Sequence, residues 1–151
     1  MQRVLFICYG NICRSTMAEF VMKELVRREG LTHEFLIQSA ATSREEIGAD
    51  THPGTKRELR AHGIPYAPRQ AVQLTAQDYT DFDYIIGMDD ANLRNIQRIT
   101  GGDPAQKVYR LLHFAGEARS VADPWYTGDF SATWQDVLAG CTGLLRQLTA
   151  R

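Results

Sequence analysis

Val4-Leu5-Phe6-Ile7-Cys8-Tyr9-Gly10-Asn11-Ile12-Cys13-Arg14-Ser15 is the stretch that decides the fold of this chain. Val4 to Ile7 is a continuous apolar, partly β-branched run without polar alternation, which marks a strand buried on both faces of a parallel sheet. Gly10 and Asn11 break it. From Ser15 the period becomes helical: Thr16 and Glu19 stand at capping-box spacing, Met17, Val21 and Leu25 share a face, and Gly30 follows as the C′ residue. The unit is strand, tight loop, helix.

Outward from this unit the alternation repeats. Phe35-Leu36-Ile37 reads as a second strand, and Pro53 to His62 as a helix ended by Gly63 and Pro65. Tyr84-Ile85-Ile86 and Val108 to Leu112 read as two further strands. Between them Asp89 or Asp90 caps a helix carrying Leu93, Ile96 and Ile99, stopped by Gly101-Gly102-Asp103-Pro104. A short helical turn starts at Thr75. The last helix, from about Ser131, places Trp134, Leu138, Cys141, Leu145 and Leu148 on one stripe, which makes Cys141 a core residue. Strand and helix in regular succession imply right-handed crossovers, hence an α/β fold of three layers: a doubly wound parallel sheet with helices on both faces. With no internal repeat or linker, residues 1–151 are expected to form one domain.

The composition narrows the classes. The chain has 151 residues, 17 basic and 18 acidic side chains, a net charge of -1 and 44% apolar residues. A chain of this size buries roughly 70% of the surface it exposes unfolded, so neither disulfides nor a structural metal are called for. Near-neutral charge argues against a nucleic-acid coat or an acidic membrane surface as partner. No run approaches the ~20 apolar residues that span a bilayer, and Val4 to Cys8 is too short for a signal-peptide core, so a cytoplasmic location without membrane insertion is expected. Of the three cysteines, Cys8 and Cys13 share one loop and Cys141 lies far away, a pattern of reduced thiols with a chemical task. His33, His52, His62 and His113 are scattered, as surface or capping residues, and no metal site is expected. The second glycine and the lysine-hydroxyl pair of a nucleoside-triphosphate loop are missing.

In doubly wound sheets ligands bind at the carboxyl edge of the strands. At the first such edge a thiol, Cys8, leaves the strand, and Arg14 follows six positions later at the helix start. The intervening residues can curl into a semicircle with inward N–H groups, an anion cradle that Gly10 and Asn11 permit through their tolerance of unusual backbone angles. Arg14 adds a planar fork for two oxygens of a phosphoryl group. The same surroundings favour a sulfur anion over a thiol. Ser15 can donate to that sulfur as it leaves. Expelling an alkoxide or phenoxide needs a proton donor, and the candidate is Asp123 in Asp123-Pro124-Trp125-Tyr126: alone an Asp-Pro pair is ordinary loop punctuation, but beside this loop it gains weight, and the two aromatic rings could wall a pocket for an aryl group.

With these residues in place the sequence resembles the low-molecular-weight protein tyrosine phosphatases over essentially its whole length. The likeness runs through Cys8 to Ser15, Ser39-Ala40-Ala41-Thr42-Ser43, Phe82-Asp83-Tyr84-Ile85-Ile86, Met88-Asp89 and Asp123 to Tyr126. The resemblance implies a four-stranded parallel sheet and hydrolysis of phosphotyrosine without a cofactor or metal. Cys8 would be the nucleophile, Arg14 the phosphate and transition-state binder, and Asp123 acid and then base. Tyr9, Gly10, Asn11, Ile12, Cys13, Ser15, Glu45, Trp125 and Tyr126 would contact the phosphorylated substrate, with Asn11, Ser39 and Asp89 as supports and Cys8 with Cys13 as a redox pair. The chain departs from the family pattern at Glu45, which replaces a rim aromatic and disfavours acidic sequence around the phosphotyrosine, and at Tyr9 and Trp125. Ala67 to Gln73 lacks the histidine that commonly helps to position the loop, so that support must differ. Three alternatives remain open: an arginine phosphatase, although Ile12 stands where those tend to carry threonine; an arsenate reductase, for which the chain lacks resolving cysteines; and a non-enzymatic phosphate-sensing or thiol-redox module.

Overall fold

The computed structural model describes residues 1–150. Its order is β1 (Gln2–Cys8), α1 (Arg14–Arg28), β2 (Phe35–Ala41), α2 (Pro53–Ala61), α3 (Ala76–Asp81), β3 (Tyr84–Gly87), α4 (Asp90–Thr100), β4 (Val108–Arg110), the short turn α5 (Pro124–Thr127) and α6 (Phe130–Thr149). All four strands are parallel, in the order β2-β1-β3-β4. As the apolar run of β1 requires, its side chains enter two cores. Val4, Phe6 and Cys8 meet α1, α2 and α6 on one face, while Leu5 and Ile7 meet Leu74, Phe82 and Ile96 on the other, beside α3 and α4.

This arrangement fixes the position of the site. The chain leaves β1 for α1 on one face and leaves β3 for α4 on the other, so the two connections diverge and open a crevice at the carboxyl ends of β1 and β3.

Local chemistry explains most boundaries. Gly30, at φ 71°, lets its own N–H reach Arg27 O (3.0 Å) and the N–H of Leu31 reach Val26 O (3.0 Å), the paired bonds that close a helix. Asp89 caps α4 through Asn92 N (2.7 Å), and Thr75 caps α3 with a reciprocal bond to Asp78. Three expectations are corrected. Strand β2 runs on to Ala41, because the whole of β1 pairs with it. The segment expected to end at Leu112 leaves the sheet at Arg110, and Leu111–Ala115 forms a 3-10 helix that buries Leu111 and Leu112 under α6. The Thr16–Glu19 capping box does not form: the Thr16 hydroxyl donates to Ile12 O (3.0 Å), and Glu19 accepts from Ser39 and Lys23.

Helix α6 approaches the 3-10 segment at two glycines. A Cβ on Gly143 would lie 1.9 Å from the carbonyl oxygen of Phe114, and one on Gly140 would lie 2.4 Å from Leu111 Cγ. Intrinsic propensity favours alanine over glycine in a helix by about 1 kcal/mol. A net loss in Gly143→Ala therefore isolates the clash, and we expect about 3 kcal/mol, or a melting temperature lower by roughly 10 °C in a thermal unfolding scan.

Candidate active site

The loop between β1 and α1 is held from outside, one carbonyl after another. Cys8 O accepts from Thr42 N (3.0 Å), and Tyr9 O accepts from Ser43 N (3.0 Å) and Ser43 Oγ (2.9 Å). Asn11 O accepts from Arg69 Nη1 (2.7 Å), Ile12 O from His52 N (2.9 Å), and Cys13 O from Thr55 Oγ1 (3.0 Å). In a trans peptide the C=O and N–H point in opposite directions, so each outward carbonyl turns the following amide inward. The N–H groups of Tyr9, Gly10, Ile12, Cys13 and Arg14 thus face the centre of the semicircle, where α1 begins without an acidic residue in its first turn.

Cys8 stands on the floor of this cradle, with Asn11 N 3.3 Å and Ser15 Oγ 3.0 Å from its sulfur. Asn11 adopts φ 58° and is fully buried. That left-handed turn is costly for a residue with a side chain, and a dense network holds it. Asn11 Nδ2 donates to Ser15 Oγ and Ser39 Oγ (both 2.9 Å), the Ser39 hydroxyl in turn donates to Glu19 (2.5 Å), and Asn11 Oδ1 accepts from Val72 N (3.2 Å) and from Arg69 Nη2.

Arg69 is the support that sequence reasoning left open where the histidine is missing. It grips Asn11 by backbone and side chain at once. Burial lowers its pKa, opposed by the charges of Glu19, Asp50 and Cys8; a guanidinium nevertheless stays charged, so a second cation lies behind the loop. We expect Arg69→Met to lower kcat/KM by roughly 10- to 100-fold and stability by about 2–3 kcal/mol, with Arg69→Lys in between, read by steady-state kinetics and urea unfolding.

Arg14 is 2% exposed and fixed by one nitrogen, Nη1, which donates to Asp89 Oδ2 and Val121 O (both 2.8 Å). Nη2 reaches Asp123 Oδ2 at a longer 3.5 Å, and Nε is buried without a partner among the described residues. The Nε–Nη2 edge is therefore the one left for two oxygens of a tetrahedral anion. Burial works against the charge of Arg14, but Cys8, Asp89 and Asp123 outweigh it and the net shift is upward.

Asp123 caps α5 by accepting from Trp125 N (3.0 Å) and faces Arg14 across the cleft. The cleft, of about 90 Å³, is lined by Cys8, Tyr9, Gly10, Ile12, Cys13, Arg14, Glu45, Glu46, Asp123, Trp125 and Tyr126. Trp125 and Tyr126 are 58% and 82% exposed, so they form a rim and not an interior wall. Tyr9 donates to Glu45 (2.8 Å), which raises the phenol's pKa and fixes the carboxylate at the mouth. Glu46, which the sequence reading passed over, packs its side chain on Gly10. Asn11 and Ser15, expected among the substrate contacts, do not line the cleft; their side chains lie beneath the loop. Burial, followed by the charge of Cys8, pushes the Cys13 thiol up to about 12. Among the described residues no group of three or more His, Cys, Asp or Glu side chains is placed to hold a metal ion.

A thiol beneath an oxyanion cradle, with a carboxylate opposite, is the layout of cysteine-based phosphoryl transfer. The chain belongs to the family of low molecular weight phosphotyrosine protein phosphatases, whose family model matches residues 3–151. It is 38% identical over 150 residues to low molecular weight protein-tyrosine-phosphatase YfkJ of Bacillus subtilis, covering 98% of this chain and 96% of that one. The crystal structure of YfkJ superposes with a TM-score of 0.94, covering 100% and 98% of the two chains at 37% identity. That of SP-PTP, a low molecular weight protein tyrosine phosphatase from Streptococcus pyogenes, gives 0.90, with 41% identity and coverage of 100% and 95%. The Drosophila arginine phosphatase DARP also gives 0.90, with 29% identity and coverage of 99% of each chain.

Proposed function

We propose that this protein hydrolyses phosphotyrosine in proteins, and small aryl phosphates, through a phosphocysteine intermediate. The Cys8 thiolate attacks phosphorus in line, the bond from phosphorus to the phenolic oxygen breaks, and Asp123 gives the departing oxygen its proton. Water then attacks the phosphocysteine and loses a proton to Asp123. The sulfur leaves as thiolate toward the Ser15 hydroxyl, and inorganic phosphate departs. Arg14 and the inward amides hold the three equatorial oxygens throughout, the dominant contribution in phosphoryl transfer. The observation that supports this most directly is the set of outward-turned carbonyls around the Cys8 sulfur.

Tyr9, Gly10, Ile12, Cys13, Glu45, Trp125 and Tyr126 meet the substrate in this reading, while Asn11, Ser15, Ser39 and Asp89 hold the loop and Arg14 from behind. Cys8 and Cys13 form a redox pair: peroxide oxidises the Cys8 thiolate to a sulfenic acid, which condenses with the Cys13 thiol to a disulfide and releases water. Cys13 serves as a thiol here, in keeping with its raised pKa. Three free, buried cysteines fit a reducing compartment, the cytoplasm, and no helix among the described residues is long and apolar enough to cross a membrane.

The likeness to DARP gives phosphoarginine a place as the second reading. Against it, Ile12 puts an aliphatic side chain in the cleft, with no polar contact to offer a guanidino group. The deciding experiment is a kinetic survey of the reduced protein on phosphotyrosine, phosphoarginine and phosphoserine peptides. We expect phosphotyrosine to be preferred, because the sulfur lies at the bottom of a cleft that a serine side chain is too short to enter. Comparable rates on phosphoserine would contradict that depth argument, and a preference for phosphoarginine would install the second reading.

A further inference from the structure

We propose that His52 is a positioning residue for the acid loop, coupling Asp123 to the phosphate loop; the inference rests on the phosphatase reading above. His52 lies outside the cleft, yet it touches the machinery on both sides. Its backbone N–H donates to Ile12 O (2.9 Å), and Thr55, three residues on, donates to Cys13 O (3.0 Å), so the start of α2 is bonded directly to the loop. Its ring nitrogen Nδ1 accepts from Gly54 N (2.9 Å) as the N-cap of α2. One face of the ring stacks on Phe130 (centroids 5.0 Å apart, planes at 21°), and Trp125 meets it edge-on (5.9 Å, 81°). Phe130 cannot give way easily: a Cβ on Gly54 would lie 2.5 Å from its ring.

Trp125 is more than half exposed, so few contacts hold it, and its N–H is the donor that anchors the Asp123 carboxylate at 3.0 Å. The chain of contacts runs from the phosphate loop through the His52 ring to Trp125 and on to the acid. A ring contact of this geometry is worth a few-fold in a population. His52 therefore sets how much of the time Asp123 stands where a leaving oxygen needs it, without touching the substrate.

The test uses the purified full chain and kcat/KM on p-nitrophenyl and phenyl phosphate, a good and a poor leaving group, with Asp123→Ala as reference. His52→Asn keeps a capping oxygen for Gly54 N and removes the ring. It is expected to lower kcat/KM on phenyl phosphate about 3- to 10-fold and to leave p-nitrophenyl phosphate within about twofold. His52→Phe keeps the ring and loses the cap; it is expected to melt lower while keeping the wild-type ratio between the two substrates. Trp125→Leu, which breaks the same contact from its other side and also alters the rim that meets the substrate, is expected to lower kcat/KM on both substrates and to shift their ratio in the same direction as His52→Asn; in the double variant the ratio is expected to shift no further than in Trp125→Leu alone. An equal loss on both substrates in His52→Asn, an unchanged ratio, or full additivity in the double variant overturns the positioning role while Asp123→Ala retains its own leaving-group dependence. If Asp123→Ala has none, the acid assignment falls first and the inference with it.

Discussion

Cys8→Ser is expected to reduce turnover of any aryl phosphate by at least about 10⁴-fold while leaving inorganic phosphate bound with nearly unchanged affinity in calorimetric titration. The two halves of this expectation come from different parts of the site. A hydroxyl in place of the thiol has the position but not the anion, and it is a poor leaving group from phosphorus in the second step. Binding rests on the amides of Tyr9, Gly10, Ile12, Cys13 and Arg14 and on the Nε–Nη2 edge of Arg14, none of which is bonded to the sulfur; the Asn11 N–H, which is, can donate to the serine oxygen instead. Turnover near the wild-type level would refute covalent catalysis, and loss of phosphate binding would show that the cradle needs the sulfur to keep its shape.

Asp123→Ala is expected to lower kcat/KM by ~10²- to 10⁴-fold on phenyl phosphate and much less on p-nitrophenyl phosphate, because only the poorer leaving group requires a proton in the transition state. Asp123 also caps α5, so alanine removes a cap worth ~1 kcal/mol together with the acid. Asp123→Asn separates these effects, since the amide oxygen still accepts from Trp125 N but the side chain has no acidic proton to give. Equal losses in the two variants assign the effect to proton transfer; recovery of activity in Asp123→Asn would assign it to the cap. A loss independent of the leaving group would remove Asp123 from the acid role.

The architecture was legible where one local pattern dictates one outcome. Val4 to Cys8 is apolar without alternation and is buried on both faces; Asp89, Gly30 and Thr75 sit at helix ends for reasons contained within a few residues. The same holds for the path of the loop, since Cys8, Gly10, Asn11 and Arg14 lie within seven positions of one another. Long-range competition decided the rest. Thr16 stands three residues before Glu19, as a capping box requires, yet the loop carbonyls claim its hydroxyl and Ser39 claims the glutamate. Leu111 and Leu112 prolong the run that begins with Val108 and Tyr109, but α6 presents Gly140 and Gly143 there, and the chain turns into that gap. Arg69 is 58 residues from the asparagine it holds. The absence of a histidine in its segment showed that something had to replace it, and a lone arginine among Pro68, Ala71 and Val72 was the available signal. His52 gave less warning still, because capping and stacking leave no pattern in a single sequence.

The carboxylates around the mouth have a kinetic consequence. Arg14 is the cation lining the cleft, and Asp89 and Asp123 already lie against it, whereas Glu45 and Glu46 stand at the entrance. A doubly charged phosphate ester therefore meets an opposing field before it reaches the amides that hold it, so long-range attraction does not speed its diffusion inward as it does at strongly basic sites. Raising the ionic strength shortens the reach of that field to about 8 Å at physiological salt. We therefore expect arrival to be governed less by the phosphate itself than by the charge its neighbours carry: at low salt a phosphotyrosine peptide bearing lysine or arginine beside the modified residue should show a higher kcat/KM than an acidic one, and the difference should shrink as salt is added.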